Sequence, residues 1–304
     1  MKFWKTLGTI TMFVVLAIGP AQAERCKPKP LVWLDISGLD RGQLLIPANL
    51  ANKPVYLAVD AASTASSLEG GFINEMKLPR YPIPHDRIRE VESGKSVDHY
   101  VGVSPLQIGD IKASEARFLE GEAQENNTVG DRKVVGTFAH DFLRNYDVEI
   151  DPQQKKFGLY KERCRKEGAY WSNDFKVIPF QDRTAGIPVV TVEINGRKVS
   201  AGFSTASWYS VLDLQRAKRS FGLEPGKGLT AVESDGTRYQ HTFENVSLGG
   251  LEFGASEFRI ADLKWQGLTG TLDMMLGLKE ISQLHVFISY PNEKRIYATK
   301  ADAH

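Results

Sequence analysis

The chain has 304 residues, with 38 basic and 37 acidic side chains and a formal net charge of +1. This balanced charge provides no electrostatic basis for binding nucleic acid or an anionic membrane. The 2 cysteines and 6 histidines do not fall at metal-ligand spacing, so we expect neither a metal site nor a cofactor.

The N-terminal segment predicts export. Lys2 and Lys5 precede an apolar run over residues 10–18, and Ala21-Gln22-Ala23 follows it. A basic start, an apolar run too short to span a bilayer and a small-x-small site are typical of a cleaved signal peptide. A retained membrane anchor would need a longer apolar run. We therefore expect removal of residues 1–23 and a periplasmic or secreted protein without membrane insertion.

Both cysteines, Cys26 and Cys164, belong to the expected mature chain. In an oxidising compartment an even number of cysteines is more typical of a disulfide than of free thiols. We predict a Cys26–Cys164 disulfide, which would hold the N-terminal arm against the end of the first half of the chain.

The mature chain contains two copies of one unit, and such repeats decide how the local patterns are interpreted. Three segments of the first half recur in the second half, in the same order and with a similar pattern of apolar and turn positions: 50–60 with 194–204, 106–111 with 246–251, and 146–151 with 284–289. Their spacing of about 140 residues is about half of the mature chain. We therefore predict an N-terminal lobe over 24–164, a linker over 165–175 and a C-terminal lobe over 176–304.

The first lobe contains one long stretch without a clear period, from Pro79 to Asp98, which is polar and contains prolines. Such a stretch is typical of a surface loop, but loops that are long for their context also cover functional sites. The sequence leaves both interpretations open.

Short strands and short helices are predicted in both lobes. Apolar Val148 and Ile150 alternate with polar residues, which is the period of a half-buried strand, and the same alternation recurs in the second lobe. A short helix is predicted before each of these strands, over 140–146 and over 279–284.

The second lobe carries the clearest local signals. Asn195-Gly196 is a strong two-residue hairpin turn. A helix is predicted by apolar residues at helical spacing with a start signal and a stop signal around them: Leu214, Ala217 and Phe221, with Asp213 before them and Gly222 after them.

Two turns resemble those of a known family. Val59-Asp60-Ala61-Ala62-Ser63-Thr64 resembles the Asp-Thr-Gly-Ala-Ser turn of retropepsin-like aspartic proteases, and Phe203-Ser204-Thr205-Ala206-Ser207 resembles its second copy. Further along, Val134-Val135-Gly136 and residues 138–143 are similar to the family's hydrophobic-hydrophobic-Gly element and the Leu-Gly-x-Asp-Phe-Leu that follows, and residues 272–277 resemble that element again. The resemblance covers residues from about 40 to about 298 and points to the exported bacterial two-lobe type, with degenerate motifs.

This resemblance implies an all-β fold of two homologous, pepsin-like (acid protease) β-barrel lobes with short helices around a central cleft. Active members of the family hold one aspartate on each lobe, so that the two carboxylates share a proton and activate water. Asp60 would supply one carboxylate here, and Ser204 stands at the position of the missing partner. The residues implied to bind substrate are those beside these two: Ala62, Ser63, Thr205 and Ala206.

The missing carboxylate decides the leading hypothesis. A serine hydroxyl does not ionise near neutral pH, so Asp60 and Ser204 cannot form the shared-proton pair. We therefore expect a catalytically impaired protein that binds peptide or protein in the cleft between the lobes. The alternative is an active aspartic endopeptidase with a non-standard second acid, Asp273 or Asp141, although Asp141 suits a structural capping role better. A third hypothesis is a purely structural exported domain with no ligand.

Two further routes to activity remain in the sequence. Two copies of the first lobe could bring two Asp60 carboxylates together, but the second lobe already supplies that partner surface, and we expect a monomer. Ser204 could act as a nucleophile with a histidine base, although no Gly-x-Ser-x-Gly motif surrounds it. The histidines available for that role are His99, His140, His241 and His285.

Overall fold

The computed structural model of the chain describes residues 28–84, 89–90, 96–121, 127–161, 169–183, 187–232, 238–263, 272–291 and 293–301. The signal peptide, Cys26 and Cys164 lie outside these residues, so export and the disulfide stay predictions. Within the described ranges, no helix is long and apolar enough to cross a membrane.

The first half of the chain contains these strands: β1 Val32–Asp35, β2 Leu45–Leu50, β3 Lys53–Asp60, β4 Ser67–Glu69, β5 Arg80–Pro82, β6 Arg89–Glu90, β7 Ser96–Val97, β8 His99–Val103, β9 Leu106–Ile108, β10 Ile111–Ala113, β11 Ala116–Gly121, β12 Thr128–Val129, β13 Arg132–Ala139, β14 Asp147–Asp151 and β15 Lys156–Tyr160. The second half contains these strands: β16 Lys176–Pro179, β17 Gln181–Arg183, β18 Ile187–Ile194, β19 Arg197–Phe203, β20 Val211–Asp213, β21 Glu224–Pro225, β22 Gly228–Ala231, β23 Tyr239–Leu248, β24 Leu251–Ala261, β25 Met274–Leu276, β26 Leu284–Ser289 and β27 Arg295–Lys300. The helices are short: α1 Gly70–Glu75, α2 His140–Leu143, α3 Leu214–Phe221 and α4 Leu278–Ile281, with a 3₁₀ turn at Leu39–Arg41.

Each half of the chain forms its own sheet. In the described part of the first half, ten strands follow the order β10-β9-β2-β3-β13-β4-β11-β8-β5, with β12 paired to β13. In the described part of the second half, nine strands follow the order β17-β18-β19-β25-β20-β24-β23-β22-β21. The run β3-β13-β4-β11-β8 of the first sheet corresponds to the run β19-β25-β20-β24-β23 of the second.

The pairing directions agree as well. Strand β3 lies parallel to β13, with Asp60 opposite Ala139, and β19 lies parallel to β25, with Phe203 opposite Leu276. Strands β4 and β11 are parallel, and so are β20 and β24. Parallel neighbours need long crossover connections, so this arrangement does not arise from simple hairpins. The two halves of the chain therefore form two lobes of the same topology, as the repeated segments predict.

A third sheet joins the lobes. Its six strands follow the order β1-β15-β14-β26-β27-β16, three from each half of the chain. At its centre β14 pairs with β26 in antiparallel register, with Val148 opposite Ile288 and Ile150 opposite Val286. All four of these side chains are buried in the core. The two strands predicted from this alternation, β14 and β26, are therefore the strands at which the lobes join; we call this junction the seam.

The local signals of the second lobe are confirmed. Asn195 and Gly196 join β18 to β19 with φ angles of 46° and 76°, the positive values that a type I′ hairpin turn needs. Helix α3 begins where the Asp213 carboxylate accepts a hydrogen bond from the N–H of Arg216 at 2.9 Å. It ends at Gly222, which has a φ of 67°.

The short helices before β14 and β26 are shorter than the predicted ranges 140–146 and 279–284. Helix α2 ends at Leu143, and the N–H of Asn145 then bonds the carbonyl of Phe142 at 3.2 Å in a tighter turn. Helix α4 begins one residue earlier than predicted and ends at Ile281. In both lobes the chain turns early because the next strand must enter the joining sheet.

The stretch from Pro79 to Asp98 is not an irregular loop throughout. Strand β5 pairs with β8 and is exposed at all three residues. It occupies one end of the first sheet, where a proline is tolerated because its missing N–H costs no ladder hydrogen bond. Strands β6 and β7 pair with each other further along. Whether the stretch covers a site depends on residues 85–88 and 91–95, which lie outside the described residues.

The outer face of the joining sheet carries a buried carboxylate. Glu149 on β14 is fully buried and accepts hydrogen bonds from the hydroxyls of Tyr160 and Tyr170. Nε2 of His285, on the neighbouring strand β26, lies 2.7 Å from Glu149 Oε1. Burial and the neighbouring Glu149 charge raise the pKa of both tyrosines, so they remain protonated donors. Groups from both lobes thus satisfy one buried charge.

Part of the predicted linker packs on this face. Trp171 stacks on the imidazole of His285 at 3.7 Å between ring centroids, and its Nε1–H donates to Thr299 Oγ1 at 3.1 Å. The described part of the linker, residues 169–175, is therefore docked on the sheet that joins the lobes. The lobe boundaries at 164 and 176 stay predictions, because residues 162–168 lie outside the described residues.

Glu149→Ala should strongly destabilise the protein. The substitution leaves a cavity and removes the acceptor for two tyrosine hydroxyls and an imidazole, so we expect a loss of about 3 kcal/mol or more in the free energy of unfolding. Urea denaturation measures it. Glu193→Ala, at an exposed position on β18, is the control and should change stability by no more than about 0.5 kcal/mol. Equal effects of the two substitutions would show that the buried network does not stabilise the joining sheet.

Candidate active site

Asp60 lies at the end of β3, where its side chain is 8% exposed. Its Oδ1 accepts a hydrogen bond from the N–H of Ala62 at 3.0 Å, and its Oδ2 accepts one from the hydroxyl of Ser63 at 2.7 Å. Neither Ala62 nor Ala206 has a positive φ. The alanines at the family's glycine positions therefore keep the turns without backbone strain.

Ser204 faces Asp60 from the second lobe. Its hydroxyl donates to Asp60 Oδ1 at 3.3 Å, and its N–H donates to the carbonyl of Leu276 at 2.9 Å. The side chain is only 3% exposed. The structure therefore brings together the two positions that the sequence predicts as partners, with a hydrogen-bond donor where active members hold a second carboxylate.

Thr205 ties the two turns together. Its fully buried hydroxyl donates to the carbonyl of Val59 at 2.6 Å and accepts the N–H of Ala61 at 3.2 Å. The equivalent hydrogen bonds from the first turn to the second cannot form, because Ala61, at the position that corresponds to Thr205, has no hydroxyl. The assignment of Thr205 to substrate binding stays a prediction; its hydroxyl is engaged between the two turns, and its side chain is fully buried.

The other predicted substrate-binding residues differ in accessibility. Ala206 is exposed and Ser63 is half-buried, whereas Ala62 is only 8% exposed. Ser63 and Ala206 are therefore the members of this set that a ligand can reach most readily.

The electrostatic state of Asp60 follows from its burial. Removal from water raises its pKa above the ordinary 3.8, while the hydrogen bonds from Ala62, Ser63 and Ser204 partly oppose that rise. Among the described residues, no second carboxylate is hydrogen-bonded to it. Asp60 therefore stays protonated to a higher pH than an exposed aspartate, for a different reason than in a catalytic pair.

The same supporting hydrogen bonds hold the turn in each lobe. Ser66 Oγ accepts the N–H of Ala139 at 2.8 Å, and Ser210 Oγ accepts the N–H of Gly277 at 2.8 Å. A second equivalent pair joins the short helix to the turn in each lobe: His140 N–H to Ser63 O at 3.0 Å, and Leu278 N–H to Ser207 O at 2.7 Å. The duplication is thus preserved down to individual hydrogen bonds around the site.

In each lobe a carboxyl group accepts a hydrogen bond from the hydroxyl of this supporting serine. In the first lobe Asp141 accepts the N–H of Ser66 at 3.0 Å and its hydroxyl at 2.7 Å. In the second lobe the hydroxyl of Ser210 donates to Oε2 of Glu280. Glu280 is fully buried, its Oε1 finds no partner among the described residues, and burial raises its pKa. Asp141 is therefore structural as expected: it binds the Ser66 turn and also accepts the N–H of Phe142 at 3.0 Å within α2, whose N-cap residue is Ala139.

Asp273 is placed too far away to replace the missing acid. Its Oδ2 accepts the N–H of Ser200 at 2.9 Å, and its other oxygen lies 3.6 Å from Nε of Arg216. Ser200 precedes Ser204 by four residues along strand β19, which corresponds to about 13 Å. Both Asp273 and Asp141 are thus engaged elsewhere.

The four histidines in the described ranges also have partners other than Ser204, whose hydroxyl bonds to Asp60. Their partners are as follows: Glu149 for His285, Gly228 O for His241, Asp98 and Glu120 for His99, and the ring of Tyr290 for His140. This arrangement does not provide the base that a serine nucleophile needs.

Sequence reasoning missed three supporting residues. Ser66 and Ser210 follow Asp60 and Ser204 at the same spacing of six residues, so a full alignment of the two copies would have singled them out. Glu280 gives no such signal, because a glutamate after a lysine on a short helix has the appearance of a surface residue.

Structural comparison agrees with this architecture. The chain is similar to an aspartic proteinase from Irpex lacteus, with a TM-score of 0.52 and 9% sequence identity over 88% of this chain and 97% of that one. The chain has the aspartic-proteinase fold. Basic 7S globulin from soybean aligns with a TM-score of 0.49 and 10% identity, over 90% of this chain and 96% of that one. No protein-family model and no curated protein sequence matches the chain.

Thr205→Val should weaken the junction of the lobes. Valine keeps the shape of threonine but leaves the carbonyl of Val59 and the N–H of Ala61 buried without a partner, so we expect a loss of about 2 kcal/mol in the free energy of unfolding. Thr205→Ser retains the hydroxyl and is the matched control, with a smaller loss from the missing methyl group. A valine variant as stable as the serine variant would contradict the tie. Urea denaturation of the three proteins decides between these results.

Stability should depend on pH through Asp60 and Glu280. Their folded pKa values are raised above the ordinary 3.8 and 4.5, so the native state retains protons that the unfolded chain releases. The stability that each group contributes is fully present below its unfolded pKa and is lost as the pH rises through its folded pKa.

Asp60→Asn and Glu280→Gln replace each carboxyl by an amide that does not titrate. The stability of each variant therefore no longer falls at this position as the pH rises. Relative to the wild type, each variant should gain on the order of 1 kcal/mol in the free energy of unfolding between about pH 4 and about pH 7. Denaturation curves at both pH values measure the gain, and exposed Glu193→Gln is the control. A stability difference that is the same at both pH values would show that burial does not perturb the two carboxyl groups.

Proposed function

We propose that this protein is an exported, catalytically impaired relative of aspartic proteases that binds peptide or protein segments in the cleft between its lobes. The single observation that carries this proposal is the pairing of Asp60 with Ser204. Active aspartic proteases hold two carboxylates at this place, and this chain holds a carboxyl group and a hydroxyl 3.3 Å apart.

The chemistry explains the impairment. One carboxyl must act as base while the other remains protonated and donates. Asp60 can occupy only one of these states at a time, and Ser204 cannot ionise to provide the other. General acid–base assistance from one positioned group contributes about a hundred- to ten-thousand-fold, so its loss removes most of the rate.

Ligand binding does not need the second acid. The half-buried Ser63 and the exposed Ala206 flank the Asp60–Ser204 pair, and β5 presents an exposed strand at one end of the first sheet. An extended peptide can add to such an edge through its main chain while side chains on alternate residues are recognised. Export to the periplasm or medium, which the N-terminal segment predicts, would place the protein as a monomer among exported polypeptides.

An active endopeptidase is the less favoured alternative. Asp273 and Asp141 were the sequence-based candidates for the second acid, and each carboxylate is hydrogen-bonded away from Asp60. A purely structural role would leave the cleft without a ligand, and the peptide-binding measurement below tests it.

The decisive experiment restores the second carboxylate. The chain without residues 1–23 is incubated with an unfolded protein substrate between about pH 3 and about pH 7, and the peptides released are measured. We expect no acid-stimulated cleavage by the wild type and weak cleavage with an acidic optimum by Ser204→Asp, because two carboxyls then face each other across the seam.

Two controls make this result specific. Ser204→Asn introduces a side chain of the same size as aspartate but without an acid. Ser204→Asp combined with Asp60→Asn again leaves a single carboxyl at the site. Both variants should be inactive. Cleavage by the wild type that disappears in Asp60→Asn would refute the impairment. Saturable binding of unfolded peptides by the wild type without cleavage is the positive result for the binding function, and a protein that binds no peptide would be structural.

A further inference from the structure

An arginine borders the Ser204 turn. Arg259 on β24 lies beside Val211 in the parallel pairing with β20, and its N–H donates to the carbonyl of Ser210 at 2.8 Å. The backbone of Arg259 is therefore fixed against the turn that begins at Ser204.

Within the described residues, the guanidinium group of Arg259 contacts two neutral side chains. It lies over the ring of Tyr209, 4.2 Å from the centroid, and its Nη1 donates to Gln240 Oε1 at 2.6 Å. Among the described residues, no carboxylate lies within 4 Å of it. The side chain is half-buried, so part of its hydration is already lost, while only Nη1 donates to an acceptor in the described part of the chain.

Other arginines of the chain are paired with acids. Arg80 forms two hydrogen bonds with the carboxylate of Glu120, at 2.9 and 3.1 Å. Arg117, which also lies over a tyrosine ring, is 3.9 Å from the carboxylate of Glu115. Arg259 thus combines an aromatic platform and partial burial with an open capacity for a carboxylate, the anion that a guanidinium binds best in a planar, two-pronged geometry.

The first lobe presents a different chemistry at the equivalent place. Leu119 on β11 donates its N–H to the carbonyl of Ser66 at 2.9 Å, as Arg259 does to Ser210 in the second lobe. Ala65 stands in the first turn where Tyr209 stands in the second. The two sides of the Asp60–Ser204 seam are therefore apolar on the first lobe and cationic on the second.

We propose that Arg259 and Tyr209 form a subsite that recognises an acidic side chain, aspartate or glutamate, of the bound peptide on the second-lobe side of the seam. This inference rests on the proposed peptide-binding function and adds its specificity. The apolar counterpart at Leu119 gives the ligand a direction, with an aliphatic residue towards the first lobe and an acidic residue towards the second.

The test uses paired peptide pools and the chain without residues 1–23. Unstructured decapeptides with an amidated C-terminus carry either glutamate or glutamine at each position in turn, and their dissociation constants are measured by fluorescence anisotropy. We expect one position at which glutamate binds about tenfold more tightly than glutamine in the wild type. The preference should disappear in Arg259→Gln and should weaken as salt is added.

Arg117→Gln is the matched control, because it also removes an arginine from a tyrosine ring but one that already has a carboxylate partner. It should leave the preference intact. Arg259→Lys keeps the charge without the planar fork and should retain a reduced preference, which protects the test if the glutamine variant does not fold. Urea denaturation establishes that each variant is folded.

The outcomes separate this inference from the proposed function. Peptides that bind with no preference for glutamate at any position, or with a preference that survives Arg259→Gln, would overturn the acidic subsite and leave peptide binding standing. A wild-type protein that binds no peptide would refute the proposed function and the subsite together.

Discussion

One buried hydroxyl sets the geometry on which the site depends. Thr205 reaches across the seam to the carbonyl of Val59 and the N–H of Ala61, and it thereby fixes the second turn against the first. Both backbone groups would otherwise be buried without a partner, which is costly in a region shielded from water. With this tie in place, Ser204 can donate to Asp60. The joining sheet acts further along the same seam, where β14 pairs with β26.

The two lobes differ at the residues that would take part in a reaction, and they agree at the residues whose hydrogen bonds support the turns. Both turns keep a serine that accepts the N–H group before the short helix, Ser66 in one lobe and Ser210 in the other. The residues that would react, by contrast, are an aspartate in one lobe and a serine in the other. Hydrogen bonds to buried backbone must be retained for the fold to be stable, whereas a catalytic carboxylate contributes nothing to stability and is costly to bury. A serine facing Asp60 is therefore compatible with an intact scaffold.

The carboxyl groups of Asp60 and Glu280 show the energetic cost of burial. Asp60 and Glu280 both have pKa values raised by burial, and each is held by hydroxyl donors without a cation within hydrogen-bonding distance among the described residues. Glu149 is buried as well, but groups from both lobes surround it. Polar groups of this kind fix the relative position of elements because their partners cannot be exchanged for water. The proposed binding rests on such fixed groups and on Arg259, whose guanidinium has no acidic partner among the described residues.

The sequence by itself determined the duplication, the short strands, the hairpin at Asn195-Gly196 and the caps of α3, because these depend on local spacing and on turn residues with specific backbone requirements. The all-β two-lobe fold and the partnership of Asp60 with Ser204 were implied by the family resemblance of the two turns. Tertiary structure alone decided the lengths of α2 and α4, the strand β5 in a stretch without a clear period, and the role of Thr205 as a tie. It also decided which acids are available, since the engagement of Asp141 with Ser66 and of Asp273 with Ser200 depends on contacts between residues more than 70 positions apart. Local pattern cannot encode such contacts, because they arise only when strands from distant parts of the chain pair in one register.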